Sequence, residues 1–220
     1  MDNSLQLAIV SPDRVILEAD ATKVEVPGSM QTLTILPNHT PLYSLLIKGK
    51  VTAHGAKNAA DAVVFIDKIA GKTFPAPKVH AKIDQHNMTF KPRVLPVLAG
   101  TTVDFLNSDD VLHNVYSPDK CDGKFNLGSW PKGQTKSMTF ANPGCFATLL
   151  CNVHPEMQGT VVVLETPYHA VTGADGSYSI KGVPAGTYTL KIWHEKLKGA
   201  PQQVTVTESG DVDANFEIKR

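Results

Sequence analysis

The 220-residue sequence carries no net charge, because 21 basic residues balance 21 acidic ones. Without a basic excess there is no general means of gripping phosphates, which argues against nucleic acid, and no polybasic case for an anionic membrane surface. Long apolar runs are missing too. Stretches such as Val161–Leu164 fall far short of the ~20 residues of a membrane-spanning helix, so no membrane span is expected. Cysteine is scarce: Cys121, Cys145 and Cys151 are too few for a disulfide-built scaffold, and the odd count leaves room for one functional thiol beside a pair. Met1–Val10 has no positive n-region, no sustained apolar stretch and no small-residue cleavage site, so no secretory signal peptide is expected in the chain as written. What remains, 42% hydrophobic and 19% charged, is ordinary for a soluble protein with packed cores.

What the sequence does have is punctuation, with 16 glycines and 15 prolines spread along it. Between them lie short runs rich in Val, Ile, Thr, Phe and Tyr: Lys23–Val26, Thr32–Leu36, Ala62–Ile66, Thr101–Phe105, Ser137–Phe140, Thr160–Leu164, Tyr188–Ile192 and Val204–Thr207. Runs of this kind, bounded by turn residues, read as strands of sandwiches or barrels. A helical period is conceivable only over Asp109–Tyr116, and it is short and flanked by turn formers. The expected fold class is all-β.

The chemistry concentrates in Cys151-Asn152-Val153-His154-Pro155-Glu156-Met157. A thiolate, an imidazole and a thioether within seven residues are all ligands with affinity for copper. They cannot point one way from a regular strand. A loop leaving the apolar strand Phe146–Leu150 can converge them, and Pro155 helps end regular structure there. A blue-copper site needs two His and one Cys in a trigonal set with a weak axial Met, so a second histidine must come from elsewhere. His113, just after the strand Thr101–Phe105, is the natural candidate. The neighbouring Asn114 is placed for a supporting role, its backbone N–H on the Cys151 sulfur. Taken singly, a cysteine on a β-run is usually a small buried hydrophobe and a methionine usually core. Zinc is the competing metal, but zinc sites rarely use Met, and an iron–sulfur cluster would lack its four thiolates. The other histidines (His39, His54, His80, His86, His169 and His194) read as surface or turn residues, with His80 and His86 kept as a secondary metal contact. Cys121 and Cys145 flank the site, either as a disulfide in an oxidising compartment or as two buried thiols.

The run from Met88-Thr89-Phe90-Lys91-Pro92 through Gly100-Thr101-Thr102-Val103-Asp104-Phe105, Asn107, His113-Asn114-Val115 and Pro143-Gly144 to Cys151–Met157 resembles the plastocyanin-like cupredoxins. The two-residue gaps of Cys-x-x-His-x-x-Met resemble the amicyanin type of ligand loop. The resemblance covers residues 78–165 and implies a Greek-key β-sandwich binding one copper ion through His113, Cys151, His154 and Met157. It implies type 1 copper cycling between Cu(II) and Cu(I) as an electron carrier, not an enzyme. A redox protein would dock transiently near His154, and the location would be periplasmic or extracellular. Gly144–Leu150 is one residue longer than the family pattern, which predicts a bulge or a shifted start on that strand.

Two further resemblances frame this segment. Ala174-Asp175-Gly176-Ser177-Tyr178 and Pro184-Ala185-Gly186-Thr187-Tyr188 are similar to turns of carboxypeptidase-regulatory or transthyretin-like sandwiches. Gly49-Lys50-Val51 and Asp61–Ile66 resemble the first two strands of that family. The expected domains are therefore a sandwich of 48–77 and 166–220 with the copper domain, 78–165, inserted into it. Residues 1–47, with Val24-Glu25-Val26-Pro27-Gly28 and Leu36-Pro37-Asn38-His39-Thr40-Pro41, resemble the first half of the ATP synthase epsilon subunit N-terminal sandwich. The alternatives to electron transport are a non-redox β-sandwich binding or scaffold protein, or an epsilon-related subunit.

Overall fold

A computed structural model describes residues 5–10, 15–21, 24–27, 32–35, 46–120, 122–207 and 211–220. The chain divides into two compact units, residues 1–43 and 44–220. In the first, β1 (Leu5–Val10) pairs antiparallel with β2 (Val15–Ala21), and β3 (Val24–Pro27) with β4 (Thr32–Ile35). There is no helix among the described residues, so none is long and apolar enough to cross a membrane. Where a helical period was conceivable, the chain instead forms a loop and then the strand His113–Ser117.

The second unit is built of two sandwiches. The one that carries the candidate ligands has a sheet of β7 (Ala81–Gln85), β8 (Phe90–Lys91), β10 (Thr101–Asn107) and β13 (Thr135–Phe140). Facing it is a sheet ordered β12 (Phe125–Trp130), β11 (His113–Ser117), β14 (Phe146–Leu150), β15 (Gln158–Leu164) and β9 (Val94–Leu98). β10 shows why these segments are strands: its residues alternate strictly between buried and partly exposed, the period-2 pattern of a sheet with one face on a core. The core between the sheets includes Ile83, Phe105, Val115, Phe140, Leu149 and Val161, all fully buried. Burying each such side chain contributes about 1.5–3 kcal/mol. β14 pairs with β15 without interruption from Phe146↔Val162 to Leu150↔Gln158, so the expected bulge on this strand is not in that pairing. The irregularity falls instead between β11 and β12, at Asn114/Tyr116.

The other sandwich joins distant parts of the chain. β5 (Leu46–Ala53) pairs with β17 (Ser177–Lys181), β20 (Val212–Asp213) and β21 (Phe216–Ile218). β6 (Val63–Ile66) lies between β16 (His169–Val171) and β18 (Gly186–Trp193), with β19 (Gln202–Val206) beyond. Since β6 ends at Ile66 and its neighbour β16 begins at His169, the whole ligand-bearing sandwich is threaded between two hydrogen-bonded strands. The two sandwiches meet across β15. Val161 and Val163 enter the ligand-bearing core, whereas Val162 and Leu164 pack with Val63, Phe65, Val94 and Trp193. Arg93 spans the same boundary, donating to Asp61 at 2.8 Å and to Glu195 at 2.7 Å.

Candidate metal centre

The candidate ligands come from two loops at one end of the sandwich. His113 is the first residue of β11, and Cys151 follows β14 directly. Between β14 and β15 the chain turns tightly, the Met157 N–H donating to the His154 carbonyl at 3.0 Å. Cys151 is a free thiol and 2% exposed, His113 is fully buried, and Met157 is 1% exposed in the same core as Cys151. His154 is only partly buried and marks the solvent side of the group.

The donor atoms of His113, Cys151 and His154 all lie within 4.8 Å of one another. The two Nδ1 atoms are 3.1 Å apart, and each is 4.0 Å from the Cys151 sulfur. A point about 2.1 Å from both nitrogens falls about 2.3 Å from the sulfur, which are ordinary metal–imidazole and metal–thiolate lengths. Two unprotonated ring nitrogens and one thiolate at these separations thus fit a first-row ion in a trigonal set. Among the described residues this is the one group of His, Cys, Asp and Glu spaced to hold a metal. His80 pairs instead with Asp104 at 2.9 Å, and His86 lies 3.8 Å from Asp109, so neither joins the cluster.

Two asparagines brace the loops. Asn107, 2% exposed at the end of β10, donates to the carbonyls of Val111 (2.8 Å) and Trp130 (2.9 Å) and accepts from the Asp109 N–H (2.9 Å). That fixes the path of residues 108–112 into His113. Asn114 links the two ligand loops: its N–H donates to the Cys151 sulfur at 3.4 Å, and its side-chain oxygen accepts from the Asn152 N–H at 3.3 Å. Asp109 is a further neighbour that sequence reasoning did not single out. Its carboxylate accepts from His113 Nε2 at 2.8 Å and from the N–H groups of Asn87 and Met88. Burial pushes this carboxyl upward, but the Met88 N–H, the His113 ring and the Asn87 N–H outweigh it and hold it at about 2. The one available signal was an acid four residues before a candidate ligand.

Of the flanking cysteines, Cys145 is disulfide-bonded, and Cys121 lies outside the described residues.

Three family models match stretches of the chain, each less than half of it. Residues 77–164 match the family model of copper binding proteins, plastocyanin/azurin family. Residues 156–219 match the carboxypeptidase regulatory-like domain, and residues 4–68 match the ATP synthase delta/epsilon chain β-sandwich domain. The last match runs past residue 47 and takes in β5 and β6. Among curated proteins the chain is similar to the ATP synthase epsilon chain of Moorella thermoacetica, 42% identical over 60 residues (27% of this chain, 45% of that one). It is also similar to that of Brucella anthropi, 36% identical over 73 residues (33% of this chain, 54% of that one). The chain thus spans about half the length of these curated relatives. Among solved structures it is similar to a reduced amicyanin variant (30% identity, 46% of this chain and 97% of that one, TM-score 0.36). A purple cupredoxin from Nitrosopumilus maritimus matches at 28% identity over 38% of this chain and 98% of that one, TM-score 0.34.

Proposed function

We propose that this chain is a type 1 copper protein that carries single electrons, holding one copper ion through His113, Cys151, His154 and Met157. The observation that carries the reading is the convergence of three donor atoms within 4.8 Å inside a segment matching a copper-binding family. Bound there, copper would supply a reversible Cu(II)/Cu(I) couple. The residues of the chain do the rest. Two sheets hold the two loops, Asn114 and Asn107 limit their movement, and a cage that changes little between oxidation states suits electron transfer. Met157 supplies the weak axial thioether that tunes the potential. Four protein ligands leave no open position for a substrate, so the proposed role is not enzymatic.

His154 is the proposed point of electron entry and exit, being the least buried donor. Val111, Leu112 and Val153 are 46%, 53% and 47% exposed on the neighbouring ligand loops, and they support transient docking of a redox protein through an apolar patch. Such encounters are weak and small. With eight basic and eight acidic residues in 78–165, transfer should respond weakly to salt. The disulfide at Cys145 supports a periplasmic or extracellular setting. We assign residues 78–165 to the copper domain and 48–77 with 166–220 to the sandwich around it. Residues 1–47 form an epsilon-like segment.

The test is direct. Cu(II) added to the purified protein should give an intense thiolate-to-copper band in the red, and Cys151→Ser should abolish it. A wild type without the band, or a band that survives Cys151→Ser, sinks the proposal. An epsilon-type role is a second reading, favoured by the match over residues 4–68. It predicts co-purification with ATP synthase regardless of copper.

A further inference from the structure

The hairpin between β7 and β8 turns through Asn87 and Met88, with φ of 54° and 53°. Two successive positive φ values make the mirror-image type of tight turn, closed here by the His86 N–H on the Thr89 carbonyl at 3.0 Å. Asn accepts this conformation readily; a methionine with its Cβ does not, and such an outlier points to a constraint imposed from elsewhere. The constraint is visible. Both turn N–H groups converge on one carboxylate, Asn87 on Asp109 Oδ1 at 2.7 Å and Met88 on Oδ2 at 2.9 Å. The same Oδ2 lies 2.8 Å from Nε2 of the fully buried His113. With the Asp109 carboxylate already accepting from both turn N–H groups, Nε2 is placed to be its third donor, and Nδ1 is the ring nitrogen turned toward Cys151 and His154.

We propose that Asp109 is a positioning residue for the metal centre, and that the Asn87–Met88 turn holds it in place. This rests on the copper reading above. The turn and the ligand loop belong to separate stretches of chain, so the carboxylate ties the orientation of the His113 ring to the β7–β8 hairpin. Groups that orient a ligand histidine in this way matter to metal affinity by about 10–100-fold.

The experiment uses the full chain with Asp109→Ala, Asp109→Asn and Met88→Pro. In metal-free protein at about pH 8, ¹⁵N shifts should place the His113 proton on Nε2 in the wild type, with a mixture of tautomers in Asp109→Ala. Cu(II) affinity should fall about 10–100-fold in Asp109→Ala, with a broadened thiolate-to-copper band and a shifted reduction potential. Asp109→Asn keeps one acceptor oxygen and should recover part of each, and it carries the test if the alanine variant does not fold. Met88→Pro removes one of the two N–H groups on the Asp109 carboxylate, so Cu(II) affinity should fall and the tautomer shift as in Asp109→Asn, and a wild-type centre in this variant overturns the role of the turn. Asp109 variants with wild-type tautomer, affinity and band overturn the proposal. A wild type lacking the copper band removes the copper reading instead, and the tautomer measurement then judges the hold on the ring by itself.

Discussion

Gly49, in the middle of β5, is where the sandwich around the ligand-bearing one can be tested most sharply. A Cβ built on it would lie 2.7 Å from the Ala214 carbonyl carbon, closer still to its oxygen, and 3.1 Å from Tyr178 Cε1. Carbon atoms in contact sit about 3.5–4.0 Å apart, so Gly49→Ala must push the Ala214 peptide away by about 1 Å. That peptide has little room to move. Ala214 is 3% exposed, its N–H donates to the Lys48 carbonyl at 2.8 Å, and its oxygen accepts the Tyr178 hydroxyl. Overpacking of this sort costs about 1–3 kcal/mol, and a buried hydroxyl left without its acceptor costs about as much again. The expected loss is about 3–5 kcal/mol, or about 10 °C in melting temperature for a unit of this size. Thermal unfolding followed by circular dichroism, alongside the copper band at room temperature, reads both halves of the argument. The band should keep its position, because the core around Gly49 and the core around Cys151 share no residue. A melting temperature within about 3 °C of wild type would refute the reasoning, since β5 would then not be clamped by the C-terminal strands.

Two further outcomes are expected. Asn107→Ala removes three hydrogen bonds that fix the loop into His113; it should cost about 2–4 kcal/mol in urea unfolding and broaden the copper band, and a loss under about 1 kcal/mol would show that the brace is dispensable. Burial lowers His169 from 6.5 to about 4, so the unfolded chain takes up this proton before the folded one does. Stability should be full above about pH 6.5 and fall by about 1–2 kcal/mol as pH drops toward about 4. A comparison of urea midpoints at the two ends of that window, in wild type and His169→Gln, checks it: a wild type that loses no more than the glutamine variant contradicts the assignment.

Much of the candidate site was legible because it is local. Cys151, His154 and Met157 sit within seven residues, and the apolar Phe146–Leu150 before them is β14. β10 announced itself through alternation, although it runs on to Asn107, two residues past the expected end. β12 was missed because Phe125–Trp130 includes Asn, Gly and Ser, and it is a strand by virtue of its partner β11. The helical period at Asp109–Tyr116 gave way to the same pairing, which recruits Asn114 to the thiol and leaves no helix to satisfy. Asp109 could not be read at all. Its role depends on a hairpin 22 residues upstream, and a carboxylate in a polar loop looks like any solvated acid until that hairpin is in place. β5 and β6 mislead in another way: they lie within the epsilon-type match yet hydrogen-bond with strands after residue 168.

β15 has a wider consequence. Its run Val161-Val162-Val163-Leu164 is apolar on both faces, so hydrophobicity cannot tell which side chains belong to which core. A slip of one residue would exchange the two sets and keep every one of them out of water. At the strand's start Gly159 favours the observed register, because a Cβ there would crowd the Arg93 carbonyl at 3.0 Å and Phe90 at 3.1 Å. Because no residue of that run faces solvent, it offers no neutral position for substitution. Neither sandwich can change its packing along this strand without the other changing with it, so a substitution made for one core is felt in both.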